Sequence, residues 1–132
     1  MNSDLLFVYG SLLDSTNQFG DYLKSNAQFI GNAVFKGRLF DCGAYPGAII
    51  DNAGYNVRGC IYRLSTLKTA LPILDDYEGF GEDQEQPNLF IRELVTVDYN
   101  SEIIECWIYL YNLPFDGLTE ISSGDYISYI NS

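Results

Sequence analysis

A chain of 132 residues with 47% hydrophobic content has material for one self-contained core and little left for a second. Its 18 acidic residues outnumber 7 basic ones, and the resulting net charge of -11 repels nucleic acid phosphates and anionic lipid headgroups. The chain has no histidine, which removes Ser-His-Asp and Cys-His nucleophilic catalysis and the usual zinc sites.

In chain order, Leu5-Leu6-Phe7-Val8 is a continuous apolar run of the kind that forms a strand buried on both faces. It stops at Gly10, and Thr16 to Lys24 suits a short helix capped by Ser15 or Thr16. Phe29 to Val34 and Arg38 to Cys42 read as strands joined through Lys36-Gly37. Tyr45-Pro46-Gly47 reads as a turn before the short run Ala48-Ile49-Ile50, and Val57 to Arg63 alternates as another strand. Ser65 is placed to cap a segment from Thr66 to Tyr77, in which Pro72 is expected to interrupt and restart the helix, with Gly79 ending it. Gly81 to Asn88 is polar and acidic, an exposed loop. Phe90 to Tyr99 and Glu105 to Tyr111 form two long alternating strands, expected as an antiparallel pair. Ser123-Gly124-Asp125 is a turn leading to a short strand or helical turn.

Strands outnumber helices in this reading, so an α+β domain over residues 1–132 with a curled or closed sheet is expected. No apolar run approaches the ~18 residues that span a bilayer, and the start of the chain lacks the positive segment of a secretory signal. The cysteines Cys42, Cys60 and Cys106 are odd in number and widely spaced. They lie in strand-like stretches, which predicts buried structural thiols in a reducing cytoplasm.

Without histidine, proton transfer near neutral pH falls to a carboxylate, a tyrosine, a lysine or the substrate itself. The first candidate is Glu78. Leu71, Leu74 and Glu78 share one helical face, so a core-facing helix would end in a partly desolvated carboxylate with a raised pKa, a usable proton acceptor. Asp75 and Asp76 are expected on the solvent side. The same pattern also suits an ordinary surface glutamate in a last helical turn. The second candidate is Tyr9-Gly10-Ser11-Leu12, where a glycine after a buried strand lets successive N–H groups form an anion-binding concavity. Those four residues also suit a plain strand-to-helix turn. The acidic residues Asp75, Asp76, Glu78, Glu82, Asp83 and Glu85 match no calcium loop, and no metal site is assigned to them.

Several segments in order resemble the gamma-glutamylcyclotransferase-like family of small cytosolic proteins. They are Leu6-Phe7-Val8-Tyr9-Gly10-Ser11-Leu12, Gly37-Arg38-Leu39-Phe40 with Gly43-Ala44-Tyr45-Pro46, and Val57-Arg58-Gly59-Cys60-Ile61-Tyr62. Leu74-Asp75-Asp76-Tyr77-Glu78-Gly79, Arg92, Trp107-Ile108-Tyr109 and Ser123-Gly124-Asp125-Tyr126 complete the set. The resemblance implies a small mixed β-barrel flanked by short helices, with the site at the mouth of the first strand. It implies that Tyr9, Gly10, Ser11 and Leu12 bind the glutamyl head of a gamma-glutamyl compound and that Glu78 is the catalytic base. Where many members carry Tyr-x-Arg, this chain has Phe90-Ile91-Arg92.

The implied reaction is an intramolecular aminolysis that closes 5-oxoproline and releases an amine or amino acid, with no cofactor. Tyr109 is the candidate donor to the developing oxyanion. The expected partner is a small gamma-glutamyl substrate, with no nucleic acid and no membrane, and the chain acts as monomer or homodimer. Two other readings stand beside this one: a non-catalytic module or sensor that binds a small carboxylate, and a carboxylate-dependent hydrolase or lyase acting on another small amide.

Overall fold

The computed structural model describes residues 4–9, 22, 25–43, 45–78 and 80–131. Its strands are β1 (Leu5–Val8), β2 (Ala27–Asp41), β3 (Pro46–Ile50), β4 (Tyr55–Leu64), β5 (Phe90–Tyr99), β6 (Glu102–Tyr111) and β7 (Thr119–Glu120). Its helices are α1 (Leu67–Glu78) and α2 (Tyr126–Ile130). The strands follow the order β3-β2-β4-β1-β6-β5, and a further β2–β5 pairing closes the five strands β2, β4, β1, β6 and β5 into a barrel. β3 and β7 extend β2 outside that ring. The expected α+β barrel with short flanking helices is the fold observed.

The apolar run at the start of the chain is central, as its composition predicts. β1 lies antiparallel to β4 and parallel to β6, and Leu6, Phe7 and Val8 are all buried. Successive side chains of a strand point to opposite faces. Phe7 joins the larger cluster with Phe35, Val57, Ile61, Val97 and Ile108, contributed by strands around the ring. Leu6 and Val8 join a second cluster with Ala70 and Leu74 of α1, Phe90 and Tyr109. Both faces are therefore covered, one by the barrel interior and one by α1, which is why the run has no polar alternation.

The ladders differ in extent. β5 and β6 pair through ten registered positions from Phe90↔Tyr111 to Tyr99↔Glu102. β2 and β4 also pair along most of their length, with an irregularity between Phe29 and Gly31. The two junctions that complete the ring are short: β1 meets β6 at Leu6↔Trp107, and β2 meets β5 at Val34↔Asp98.

Several boundaries differ from the sequence reading. Lys36-Gly37 does not join two separate strands, because β2 runs unbroken and Gly37 pairs with Ile50 on one side and Tyr55 on the other. A Cβ on Gly37 would lie 2.3 Å from the Ile49 carbonyl oxygen, so the glycine serves close strand approach. Pro46 opens β3 instead of occupying a turn, a position where the missing N–H is tolerated on an outer strand. α1 continues through Pro72, which lies inside the helix. The ring faces outward on an exposed residue, and the missing N–H removes one bond to the first turn.

α1 begins at Leu67, one residue later than expected; the Ser65 hydroxyl donates to the Asn26 carbonyl at 2.7 Å, and the Thr66 carbonyl accepts from the Thr69 and Ala70 N–H groups. The tail resolves as a helical turn, with Asp125 accepting from the Ser128 N–H. Of the cysteines only Cys106 is fully buried; Cys42 and Cys60 are half-buried, and all three are free thiols. Among the described residues no helix is long and apolar enough to cross a membrane. The expected helix from Thr16 to Lys24 falls mostly outside the described residues.

Candidate active site at the barrel rim

α1 presents Ala70 and Leu74 to the barrel wall, both essentially inaccessible. Glu78 follows Leu74 by one helical turn and is carried to the same side, at the end of the helix. It is half-buried, and loss of water around its carboxyl raises the pKa from 4.5 to about 7. No described cation lowers it again. A glutamate in this setting takes up and releases protons at neutral pH, the requirement for a general base.

Two phenols lie within electrostatic reach of that carboxyl. Tyr9, immediately after β1, is buried, and the Glu78 charge adds to the burial that holds its hydroxyl in the protonated form. The Tyr9 hydroxyl donates to the Tyr109 carbonyl at 2.5 Å and accepts from the Ala48 N–H at 3.2 Å. It thus ties the end of β1 to β6 and β3. Tyr9→Phe is expected to leave the Ala48 N–H without its acceptor and to cost about 1–3 kcal/mol in urea unfolding. An unchanged midpoint would mean the tie contributes nothing.

Tyr109 points its hydroxyl the other way, donating to Asp75 Oδ1 at 2.6 Å. Its phenol is held well above the usual range by burial, by that hydrogen bond and by the Asp75 charge. Because its one hydroxyl proton rests on Asp75, Tyr109 has none to give a developing oxyanion in this arrangement. The role expected for it from the sequence therefore does not fit the observed hydrogen bond. Gly10, Ser11 and Leu12 lie outside the described residues, so of the motif loop only Tyr9 is placed.

Asp75 is the residue that sequence reasoning misplaced. It faces inward: Arg92 Nε donates to Oδ1 at 2.8 Å and Arg92 Nη2 to Oδ2 at 3.1 Å, a forked pair with both side chains largely covered. The Arg92 guanidinium also lies 4.7 Å from the Trp107 ring centroid and 5.6 Å from that of Phe80. The available signal was helical spacing, since Asp75 stands four residues after Leu71 and three before Glu78. Asp76 is exposed, as expected, and accepts from Gln84 at 2.8 Å. Phe90 is buried against Tyr45 and Tyr111.

The five-stranded closed barrel with flanking short helices is a gamma-glutamylcyclotransferase-like fold. The chain belongs to the gamma-glutamylcyclotransferase family: the family described as "Gamma-glutamyl cyclotransferase, AIG2-like" matches residues 6–128. The gamma-glutamylcyclotransferase family protein YtfP of Escherichia coli K12 is 33% identical over 123 residues, covering 92% of this chain and 95% of YtfP. The solution structure of E. coli ytfP superposes with a TM-score of 0.66 at 30% identity, covering 96% of this chain and 98% of that one. The crystal structure of YkqA from Bacillus subtilis matches with a TM-score of 0.70 at 28% identity, covering 98% of this chain but 41% of YkqA.

Proposed function

We propose that this protein cyclises the gamma-glutamyl group of a small gamma-glutamyl amino acid or amine to 5-oxoproline, releasing the attached amine in the cytoplasm. The observation that carries the reading is Glu78, a desolvated carboxyl poised near neutral pH at the barrel rim. The substrate's α-ammonium loses a proton to Glu78, and the free amine attacks the substrate's own γ-carbonyl carbon. The new C–N bond closes the five-membered lactam, the attacking nitrogen gives up its second proton as the old C–N bond breaks, and the departing nitrogen takes up both protons, one of them returned by Glu78.

Nucleophile and electrophile belong to one molecule, so the protein's main task is to hold the substrate folded, where effective molarity supplies on the order of 7–11 kcal/mol. In this reading the N–H groups of Gly10, Ser11 and Leu12 hold the substrate α-carboxylate. Such a local backbone field lets a protein of net charge -11 accept an anionic head group. Tyr9 and Tyr109 form the wall beside the carboxyl, and Tyr9 fixes the start of the loop.

The test is release of 5-oxoproline from a panel of gamma-glutamyl amino acids and gamma-glutamyl amines by the purified protein. Lactam formation on one or more members supports the reading and identifies the leaving group. Open glutamate as the product would make the protein a hydrolase. No product across the panel, with saturable binding of the same compounds, would make it a binding module.

A further inference from the structure

Asp75 receives three hydrogen bonds from two residues of neighbouring strands, the fork of Arg92 on β5 and the hydroxyl of Tyr109 on β6. It stands three residues before Glu78 on the same helix, so its contacts fix the turn that carries Glu78. They do two further things. The Arg92 charge is matched by a carboxylate at 2.8 Å. The Tyr109 hydroxyl proton, which lies in the electrostatic reach of both Asp75 and Glu78, is drawn to Asp75. Either a free guanidinium or a phenol donating to Glu78 would favour the ionised carboxylate and weaken it as a base.

We propose that Asp75 is a positioning residue for Glu78: it neutralises Arg92 and keeps the Tyr109 hydroxyl proton off the Glu78 carboxylate. The inference rests on the reading of Glu78 as the base. The described groups facing Glu78 are Tyr9 from the end of β1 and Tyr109 from β6; Arg92 of β5 and Asp75 of α1 act on it through Tyr109, and Cys42, ahead of β3, acts on Tyr9. Burial supplies the elevated proton affinity of Glu78, and the Asp75–Arg92 pair leaves it undisturbed.

The experiment follows the Glu78 carboxyl directly, by carbon NMR titration of the full chain labelled at glutamate Cδ, with the Glu78 signal assigned by its absence in Glu78→Gln. Wild type is expected to titrate at about 7. Asp75→Asn leaves Arg92 unmatched and should lower the midpoint by roughly half a unit or more. Arg92→Gln leaves Asp75 unmatched and should raise it by a similar amount, and the double variant should return it toward wild type.

Opposite signs separate this role from simple support of the helix, since loosening α1 would admit water and lower the midpoint in both variants. Shifts of the same sign, or no shift, would overturn the proposal. The Arg92→Gln result decides alone if Asp75→Asn does not fold. The titration needs no substrate, so absence of 5-oxoproline release would sink the base reading while the signs still judge the pair. Where turnover is present, the acidic limb of the kcat/KM profile should move with the midpoint.

Discussion

Glu78→Gln is expected to lower the rate of 5-oxoproline release by ~10²–10⁴-fold, the usual worth of a positioned general base. The variant should also be more stable than wild type above neutral pH. The folded carboxyl has its pKa raised from 4.5 to about 7, so between those values the folded protein holds a proton that the unfolded chain has released. Stability contributed by that proton is present at low pH and declines as pH rises toward about 7. Glutamine has no charge to desolvate. Its advantage should therefore be about 1–3 kcal/mol at about pH 8 and vanish at about pH 4. Wild-type kcat/KM should rise with pH through the same midpoint, because the ionised form accepts the proton. Chemical denaturation at the two pH values, beside product assays, checks both halves. A glutamine variant with near-full turnover would remove Glu78 from the chemistry.

Gly124→Ala should be among the most damaging single substitutions, costing roughly 3 kcal/mol or more and about 10 °C of thermal midpoint. The residue adopts φ +70, and a Cβ there would lie 1.9 Å from the Asn56 carbonyl oxygen. That obstacle is backbone of β4, with no flexible side chain to move aside. The Gly124 carbonyl also accepts from the Arg58 N–H at 2.7 Å, a bond that seats the segment before α2 on β4. Gly117 provides the control, since it has φ +83 but nothing within 4 Å of an added Cβ. Its alanine variant should show only the conformational penalty, about 1 kcal/mol. Equal losses at the two positions would mean that the close approach at Gly124 relaxes without cost.

The sequence was legible where one physical pattern dominates. The unbroken apolar run of β1 and the alternation of β5 and β6 each have one economical structural solution, whereas the helical face Leu71, Leu74, Glu78 left two readings of its glutamate open. It was less legible where the chain's partners decide the outcome. Gly37 and Pro46 look like turn residues in isolation, but Gly37 sits in a strand because two neighbours press against it, and Pro46 opens one on an outer strand. Pro72 breaks a helix only where its ring clashes or its missing bond matters, and here burial of Ala70 and Leu74 outweighs the lost bond. Asp75 illustrates the same limit at the site, because nothing local announces that Arg92, seventeen residues later, supplies its counter-charge. The reaction was suggested by the order of the segments along the chain, which composition and spacing alone did not supply.

The uneven ladders of the barrel have a mechanical meaning. The strands β3, β2, β4 and β1, with β7 added to β2, and the hairpin of β5 and β6 are each held by many registered pairs, yet they are joined to one another at Leu6↔Trp107 and Val34↔Asp98. The barrel is thus two stiff plates sewn along narrow seams, and the Tyr9–Tyr109 hydrogen bond is a stitch across one of them. Openings of lowest free energy occur where the fewest backbone bonds must break. The Tyr9 stitch lies within electrostatic reach of the Glu78 carboxyl, so one of the two seams runs beside it.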